Sequence, residues 1–444
     1  MEKRAFTPKP GMLARRFAAR LCGAVLRERR PLDDAFAHLA QRAPFNGLEP
    51  RDKGFARAIA LTALRRRGQL EDILARFVEK EPPVASGTLR DILITSAAQL
   101  AFMGAPPHAV IDLAVDLTKA DPDARRFANL VNAVLRRVAA EGAGIAASQN
   151  AEALNTPDWL WLRWRAHYGV EEARRIAAQH MAEAALDLTV KSDPAGWAAT
   201  LGGVVSATGG VRVIASGMVS DLPGYAEGEW WVQDAAATLP ARMLGPLDGR
   251  RVADLCAAPG GKTAQLAFAG ASVVAVDRSS MRLERLRENL ARLRLSAETV
   301  AADAALWRPD ERFDAVLLDA PCSATGTLRR NPDIAALKSE ADVAALAPVQ
   351  ARLIDNACAL LKPGGVLVYC TCSLEPEEGE WQARKAADRL DLVPAPVAAD
   401  EDDALAPHLT GEGWLRTTPG RMPADNPNLA GMDGFFAARF VKKA

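Results

Sequence analysis

The sequence predicts a chain of several domains: an all-α N-terminal domain, a small α+β connector and an α/β domain with a mostly parallel sheet. Three observations predict this division. Apolar residues recur at helical spacing over residues 11–141, short β-type runs broken by glycines lie within residues 186–233, and strand-like runs alternate with helical segments from residue 250 onward. A length of 444 residues is enough for two or three domains. We place the domain boundaries at residues 1–145, 146–232 and 233–444.

The N-terminal domain begins with an amphipathic helical pattern. Leu13, Phe17, Leu21 and Val25 recur every four residues and predict a packed first helix. Three arginine clusters follow in this domain, at residues 65–67, 125–126 and 136–137. Such clusters are typical of a solvated helix face, but three in one domain also fit a surface that contacts phosphate groups, and the sequence leaves both interpretations open.

The net charge is divided unevenly along the chain. Lys and Arg total 55 and Asp and Glu total 55, so a strongly basic whole chain is excluded. Residues 1–150 nevertheless hold 24 Lys and Arg against 16 Asp and Glu, a net charge of +8, and the remainder carries −8. A basic N-terminal part joined to an acidic C-terminal part predicts separate tasks for the two.

Composition excludes several classes of protein. A hydrophobic content of 49% with 25% charged residues is typical of a globular protein and excludes collagen-like and largely disordered chains. No apolar run approaches the ~18 residues of a membrane-spanning helix, so we expect a soluble, cytoplasmic protein with no membrane partner. The six cysteines are then expected to be reduced thiols.

The connector begins with a small, polar stretch at residues 142–156, which predicts a linker. Thr156 and Pro157 next have the pattern of a helix start, and two helices are predicted to about residue 185. The runs LDLTV, GVRVIA and EWWVQD then predict short strands. These features indicate a small mixed α+β unit.

The last domain alternates short buried runs with helical segments. The predicted strands are Val252–Leu255, Val273–Val276, Ala315–Leu318 and Val366–Tyr369, with a closing strand at Gly434–Val441. This alternation predicts a doubly wound sheet in which most strands are parallel. Ligands of such sheets bind beyond the carboxyl ends of the strands, so functional residues are expected in the loops there.

The first of these loops has the sequence D-L-C-A-A-P-G-G-K-T over residues 254–263. Small residues allow the backbone to approach a ligand closely, and the following helix N-terminus favours anionic groups. A phosphate-binding P-loop would need glycine at position 256, where the chain has Cys256, and a G-x-G-x-x-G fingerprint is absent. A nucleotide ligand is predicted, and a nucleoside triphosphatase remains an alternative.

An aspartate closes each of the next three strands. Asp277 ends VVAVD, Asp303 ends ETVAAD and Asp319 ends AVLLD. A carboxylate after the second strand can accept hydrogen bonds from ribose hydroxyls, and the next could meet an adenine edge. Because strand-end aspartates also serve as turn residues, no single one is decisive. Together with the loop, the three predict an adenosine ligand such as S-adenosylmethionine.

Two cysteines follow neighbouring predicted strands. Cys322 lies in Asp-Ala-Pro-Cys-Ser after the strand that ends AVLLD, and Cys372 lies in Thr-Cys-Ser after the predicted strand Val366–Tyr369. The five histidines are scattered without metal-ligand spacing, so we predict no metal site. A thiol beside a methyl donor suits pyrimidine C5 methylation, in which a thiolate adds to C6 and activates C5. A second thiol could then act as the base that removes the C5 proton.

These segments resemble the Nol/Nop/Sun family of RNA cytosine-5 methyltransferases. The resemblance rests on DLCAAPGGKT, VVAVD, DAPCSATGTLRRNPD, TCSLEPEEGE and the closing GFFAARF. The N-terminal domain resembles the NusB-like RNA-binding domain in PPHAVIDLAVDLTKA and RRFANLVNAVLRR. Together they imply a Rossmann-like catalytic domain and an S-adenosylmethionine-dependent enzyme that modifies a cytosine of small-subunit ribosomal RNA. We expect it to act as a monomer.

The resemblance also implies roles for single residues. Cys372 matches the nucleophile that attacks C6, Cys322 the cysteine needed for product release, and Asp319 a carboxylate that contacts the cytosine and lies near the cofactor. Asp277 and Asp303 match the cofactor site, together with the loop residues Cys256, Ala257, Ala258, Pro259, Gly260, Gly261 and Lys262. Lys262 is expected to contact the reacting groups. Arg329 and Arg330 could contact RNA phosphate or lie in a solvated turn.

The chain departs from the family pattern at three places. Lys191 closes an L-T-V-K stretch where members often have L-R-V-N, and Ala235–Ala237 include an alanine where many members have serine. Cys370 stands where alanine is common.

A second alternative to the enzyme is a non-catalytic NusB-like RNA-binding or antitermination factor, which would need the helical domain alone.

Overall fold

The computed structural model describes residues 9–80, 82–83, 85–215, 217–389 and 391–444. These residues group into two compact units, the first comprising Met1–Leu162 with Asn331–Lys338 and the second Arg163–Arg330 with Ser339–Ala444. The sequence-based boundaries at residues 145 and 232 do not coincide with this division, and the three-domain description stays a prediction.

The first unit is helical, as predicted. Its helices up to residue 155 are α1 (Met12–Leu26), α2 (Leu32–Ala40), α3 (Pro50–Arg65), α4 (Arg67–Ala75), α5 (Leu89–Phe102), α6 (Pro107–Ala120), α7 (Ala128–Ser148) and α8 (Ala151–Asn155). Phe17, Leu21 and Val25 on α1 are fully buried in a core shared with the other helices, which confirms the amphipathic reading of the first helix. The cluster at residues 65–67 is not a uniformly solvated face, because the Arg65 side chain is buried.

The linker prediction for residues 142–156 is wrong in its secondary structure. Helix α7 continues to Ser148 and α8 follows at once. Small residues such as alanine favour a helix when their neighbours provide packing and polar contacts. Here the buried Gln69 amide donates to the carbonyl of Ala146 at 3.2 Å, and the Asn155 amide donates back to Gln69 at 2.9 Å.

A short segment from late in the chain completes the helical unit. Residues 331–338 contain α15 (Ile334–Leu337), and Ala336 and Leu337 pack against the helical core. Arg29 donates to the Ala336 carbonyl at 3.1 Å, and Asp333 accepts the buried Leu32 amide at 3.0 Å. The chain therefore enters this unit again directly after Arg330.

The second unit holds the remaining helices and all strands of the described residues. Its helices are α9 (Asp158–Tyr168, which begins in the first unit), α10 (Val170–His180), α11 (Pro194–Leu201), α12 (Ala235–Arg242), α13 (Gly261–Phe268), α14 (Ser280–Arg292), α16 (Glu340–Leu360) and α17 (Glu380–Arg389). Its strands are β1 (Leu186–Val190), β2 (Val204–Val205), β3 (Val211–Val213), β4 (Trp230–Val232), β5 (Arg251–Leu255), β6 (Ser272–Asp277), β7 (Glu298–Ala301), β8 (Phe313–Asp319), β9 (Leu361–Thr371), β10 (Leu392–Pro394), β11 (Leu415–Arg416) and β12 (Phe436–Lys442).

The large sheet has the order β10-β12-β9-β8-β5-β6-β7 in the described chain, with β11 paired to β12. Strands β5 to β9 pair with one another in parallel, and β12 and β10 are antiparallel additions at one edge. This confirms the mostly parallel α/β sheet. From β5 the chain continues to β6 and β7 on one side of that strand. It then returns to β8 and β9, which lie on the other side of β5. The strand order therefore reverses beside β5, the point at which such sheets bind ligands.

The small sheet has the order β2-β3-β1-β4 and is antiparallel. Its three predicted runs, LDLTV, GVRVIA and EWWVQD, supply β1, β3 and β4. Lys191 directly after β1 donates its ammonium to the Leu293 carbonyl. Helix α12 starts at Ala235, and Asp234 caps it by accepting the Ala236 amide at 2.9 Å. Lys191 and Ala235, at two of the positions that depart from the family pattern, therefore take part in local hydrogen bonding and in the start of a helix.

Two features are absent from the described part of the chain. No helix among them is long and apolar enough to cross a membrane. No three His, Cys, Asp or Glu side chains in that part of the chain lie together in a way that could hold a metal ion.

Candidate active site

The loop after β5 turns sharply because of its backbone conformation. Cys256 adopts φ +62° and Gly260 adopts φ +100°, both in the left-handed region. At Gly260 a side chain is excluded on a second ground, since a Cβ there would lie 2.7 Å from Leu286 Cγ. The amide of Ala257 donates to the Val276 carbonyl at 3.1 Å, and α13 begins at Gly261. The loop is thus fixed against β6 while α13 points its N-terminus beyond the sheet edge.

Asp254, the last polar residue of β5, belongs to this site although sequence reasoning did not single it out. Its side chain is completely buried, and Oδ2 accepts the Thr263 hydroxyl at 2.6 Å. Oδ1 has no hydrogen-bond partner in the described protein. Burial raises the pKa of this carboxyl from 3.8 to about 7. The signal in the sequence was an acidic residue inside an otherwise apolar strand that runs directly into the small-residue loop.

Asp277 and Asp303 both accept hydrogen bonds from nearby backbone amides. Asp277 is buried at the end of β6 and accepts the amides of Ala258 at 3.2 Å and Ser279 at 3.0 Å. Asp303 is exposed after β7 and accepts the Ala305 amide at 2.9 Å. Asp277 is thus hydrogen-bonded to the loop directly, and the proposed contacts of Asp277 and Asp303 with an adenosine ligand stay predictions.

Lys262 and Asp319 connect the first loop to the end of β8. The Lys262 ammonium lies 2.8 Å from Asp319 Oδ2 and 4.9 Å from the centre of the Phe435 ring. Burial alone would lower the pKa of Lys262, but the carboxylate of Asp319 outweighs it and the pKa is raised. Lys262 is therefore a fixed cation at neutral pH. The thiol of Cys370 lies 3.6 Å from Asp319 Oδ1.

The two cysteines predicted to share the chemistry lie in contact. Cys322 Sγ and Cys372 Sγ are 3.5 Å apart, and both residues are partly accessible. The hydrogen bond between the thiols, followed by burial, raises the pKa of Cys322 well above 9.0. The two thiols therefore lie within contact distance of each other, as their positions after neighbouring strands predicted.

Backbone contacts tie the two cysteine loops together. The Ala320 amide donates to the Cys370 carbonyl at 2.9 Å, and the Gly326 amide donates to the Cys372 carbonyl at 3.0 Å. A Cβ at Gly326 would lie 2.0 Å from the carbonyl oxygen of Gly434, so the close approach needs glycine. The chain after Cys322 is thereby held against the end of β9.

The loops enclose a cavity of about 410 Å³. Of the predicted residues, its lining contains Lys262, Asp319, Cys372 and the loop residues Ala257, Ala258, Pro259, Gly260 and Gly261. Cys256, Asp277, Asp303 and Cys322 lie outside the lining. Asp254, Gln233 and the connector residues Tyr225 and Trp231 also line the cavity. A cavity of this size accommodates a small organic ligand.

Comparison with known proteins gives two family matches in different parts of the chain. Residues 241–441 match the family described as 16S rRNA methyltransferase RsmB/F, and residues 12–140 match the NusB family. A relative from Xanthomonas campestris pv. campestris, "Ribosomal RNA small subunit methyltransferase B", is 35% identical over 99% of both chains. The chain belongs to the RsmB/F methyltransferase family. These matches confirm the resemblance that was drawn from the sequence motifs and from the NusB-like N-terminal part.

Solved structures agree with this RsmB/F assignment at the level of fold. The structure titled "Crystal Structure of PH0851" matches with a TM-score of 0.76 at 21% identity, covering 99% of this chain and all of that one. A methyltransferase homolog protein from Pyrococcus horikoshii matches with a TM-score of 0.51 at 27% identity, covering 63% of this chain and 93% of that one.

In this RsmB/F chain, Arg329 is buried and is therefore not in a position to contact RNA. Its side chain is fully buried and lies 2.7 Å from Asp234 Oδ2. Arg330, part-exposed and at the cavity, pairs with Asp433. Burial raises the pKa of Asp433. Asp433, Asp234, Arg329 and Arg330 lie close together and form one charge cluster. The prediction that Arg329 lies in a solvated turn or on RNA phosphate is therefore wrong.

Proposed function

We propose that the chain is an S-adenosylmethionine-dependent RNA cytosine-5 methyltransferase that modifies a cytosine of small-subunit ribosomal RNA. The observation that carries the proposal is the 3.5 Å separation between Cys322 Sγ and the Sγ of Cys372, which lines the cavity beside the loop after β5. A single reactive thiol would suit many reactions. Two thiols in contact suit a reaction that needs both a nucleophile and a base.

The chemistry assigns a separate task to each sulfur. Cys372 Sγ, as a thiolate, adds to C6 of the cytosine and forms a C–S bond, which makes C5 nucleophilic. S-adenosylmethionine, when bound, supplies an electrophilic methyl group that C5 takes up. The Cys322 thiol first loses its proton to solvent, and its thiolate then takes the proton from C5 and becomes a thiol again. The electron pair of the C5–H bond restores the C5–C6 double bond, and the C6–S bond breaks to release Cys372 as a thiolate. The raised pKa of Cys322 suits this task, since a more basic thiolate is the better proton acceptor.

Lys262 and Asp319 would orient the base. Asp319, whose side chain is 31% exposed, presents a carboxylate that can accept a hydrogen bond from an amino group such as N4 of cytosine. Lys262 holds that carboxylate by a charge-assisted hydrogen bond of 2.8 Å. The target base would have to leave its stack to enter the cavity, as bases do in enzymes that modify them.

The residues of the first loop fit a cofactor that carries positive charge. Asp254 Oδ1 is buried at the cavity without a protein partner, so an ammonium or sulfonium there would satisfy it. The backbone of residues 257–262 would pack against the ligand, and Asp277 and Asp303 stay the proposed ribose and adenine partners. Lys262 is occupied by Asp319, and Cys256 replaces the glycine that a phosphate-binding loop needs, so nothing in the site favours the triphosphatase alternative.

The RNA assignment is supported from outside the cavity. The relatives are named for the small subunit's ribosomal RNA, and the N-terminal part has a net charge of +8 together with its NusB-family match. Arg125, Arg126, Arg136 and Arg137 are exposed in that part of the chain. Phosphate contacts by such residues would make the affinity for RNA fall as salt is raised. The cysteine pair would have no task in the alternative of a purely RNA-binding antitermination factor.

Calorimetry separates these possibilities at the level of the ligand. We expect binding of S-adenosylmethionine and none of ATP under the same conditions. Binding of ATP alone would contradict the proposed cofactor. A second titration with 16S ribosomal RNA transcribed without modifications tests the RNA assignment, for which we expect an affinity that weakens steeply with salt.

A further inference from the structure

A buried carboxylate lies beneath the two cysteine loops and has no task in the steps described so far. Glu378 follows Cys372 by six residues, in the short turn between β9 and α17, and its side chain is completely inaccessible. Oε2 accepts the hydroxyl of Ser323 at 2.5 Å and that of Ser373 at 2.6 Å. Oε1 accepts the backbone amide of Ser323 at 2.9 Å and the Gln350 amide at 3.1 Å.

The two serines are the immediate neighbours of the two cysteines. Ser323 follows Cys322 and Ser373 follows Cys372, and their hydroxyls are 3.2 Å apart. One carboxylate therefore holds the residue next to each sulfur. Ionised carboxylates form the stronger class of hydrogen bond, and a buried hydroxyl that lost such an acceptor would be left unsatisfied.

We propose that Glu378 is a positioning residue for the methyl transfer proposed above, because its carboxylate joins the Cys322 loop to the end of β9 and so holds the two sulfurs in contact. The inference rests on the proposed function for its catalytic consequence, but the sulfur-to-sulfur geometry can be measured without any RNA. Glu378 contributes a second effect through its charge. After the thiol hydrogen bond, burial and the Cys372 charge, it is a further cause of the raised pKa of Cys322.

The neighbouring carboxylates provide a matched control. Glu377 precedes Glu378 in the same turn, is about a quarter exposed and pairs with Arg163 at 2.5 Å. Glu377→Gln therefore removes the same charge from the same turn without touching either serine. Ser373→Ala and Ser323→Ala each remove one hydroxyl from the Glu378 carboxylate and are milder than Glu378→Gln, so they keep the test available should Glu378→Gln not fold.

The first measurement is capture by phenylarsine oxide, whose arsenic bonds to two nearby thiols and releases one water. Wild-type protein and Glu377→Gln should bind one equivalent across Cys322 and Cys372, located by peptide mass mapping, and Cys322→Ser should bind none there. Folded Glu378→Gln should bind at least tenfold more weakly, and Ser373→Ala should change in the same direction. Circular dichroism and thermal melting establish which variants are folded.

The second measurement is turnover on unmodified 16S ribosomal RNA transcript with radiolabelled S-adenosylmethionine. Glu378→Gln should lower kcat at least tenfold while KM for RNA stays within twofold, because the RNA surface is unaltered. Unchanged arsenical capture and kcat in folded Glu378→Gln would overturn the inference, as would an equal loss in Glu377→Gln. If no variant, including wild type, methylates RNA while capture behaves as described, the proposed function fails and the positioning role of Glu378 stands.

Discussion

The ammonium of Lys262 lies 2.8 Å from Oδ2 of Asp319 and joins the first loop to the end of β8. The Lys262 side chain is 9% exposed and that of Asp319 is 31% exposed, so the pair is buried at its cationic end and open at its anionic end. Asp319 also lines the cavity, and its second oxygen, Oδ1, lies 3.6 Å from the Cys370 thiol.

Replacing Lys262 by methionine should therefore disable the enzyme more than it destabilises the fold. The change removes the charge-assisted hydrogen bond that orients the Asp319 carboxylate. We expect kcat/KM for methylation of 16S ribosomal RNA to fall at least 100-fold, equivalent to about 2.7 kcal/mol.

Lys362→Met is the matched control for that substitution. Lys362 pairs with Asp314 at 2.7 Å, and both side chains are substantially exposed. The pair lies near the N-terminal ends of β8 and β9, whereas the candidate site lies at their carboxyl ends. Because exposed pairs contribute little, Lys362→Met should keep nearly full activity. Equal activity of the two variants would contradict the role given to the Lys262 pair.

Cys322→Ser should accumulate a covalent protein–RNA complex. The nucleophile Cys372 is intact in this variant, so addition to C6 proceeds, but the release step lacks its base. A denaturing gel should show a protein–RNA band with Cys322→Ser and none with Cys372→Ser or the double variant. Cys358→Ala, which alters a buried cysteine on α16 away from the site, should behave as wild type. Absence of the band with active-site folding intact would argue against the release role.

Asp254→Asn should stabilise the ligand-free protein at high pH. Burial raises the pKa of this carboxyl from 3.8 to about 7, so between those values the unfolded state binds fewer protons than the native state and rising pH favours unfolding. The asparagine does not ionise. Its gain in Tm over wild type should grow from pH 4 to pH 7 and stay level above.

The same variant should lose affinity for S-adenosylmethionine, at least tenfold at pH 8, because the unpartnered Oδ1 carries the charge that a cationic ligand would meet. Thermal melting from pH 5 to pH 8 and calorimetry measure the two effects. Asp403→Asn, an exposed position, is the control and should change neither. A variant that is less stable than wild type at pH 8, or that binds the cofactor with unchanged affinity, would contradict the role given to the buried Asp254 carboxyl.

Arg329→Met should destabilise the fold rather than weaken RNA binding specifically. Its guanidinium is fully buried, 2.7 Å from Asp234 and 3.7 Å from Asp433. Removing one partner of a buried ion pair costs about 3–5 kcal/mol. Here the change leaves two buried carboxylates to share the Arg330 guanidinium. We expect a Tm lowered by more than about 6 °C. Arg384→Met, from a pair in which both side chains are about half exposed, should leave Tm within about 1 °C. Weaker RNA binding at a wild-type Tm would reverse the interpretation.

The sequence was sufficient to locate the strand ends and the groups attached to them. Cys322, Cys372, Asp319 and Lys262 were assigned to one edge because buried runs alternate with helices, and parallel strands present their carboxyl ends together. The fold class and the family follow from the same segments. These features depend on local pattern and on topology, both of which a single sequence records.

Other features depend on contacts between residues far apart in the chain. Arg329 is an ordinary loop arginine in sequence, and only the approach of Asp234 across 95 residues makes it a buried ion pair. Glu378 sits in an acidic P-E-E-G-E run typical of a solvated turn, yet it is enclosed by Ser323 and Ser373. The segment 331–338 belongs to the helical unit through Arg29 and Leu32, about 300 residues earlier. Local periodicity carries no record of such pairings.

The release of tritium from the C5 position of cytosine tests the central claim most directly. The substrate is 16S ribosomal RNA transcribed with [5-³H]cytidine, incubated with unlabelled S-adenosylmethionine, with methyl incorporation measured in parallel. We predict one tritium released to water for each methyl group incorporated by the wild-type protein, and neither with Cys372→Ser. Methyl incorporation without tritium release, or normal turnover by Cys372→Ser, would contradict cytosine-5 methylation through a Cys372 adduct.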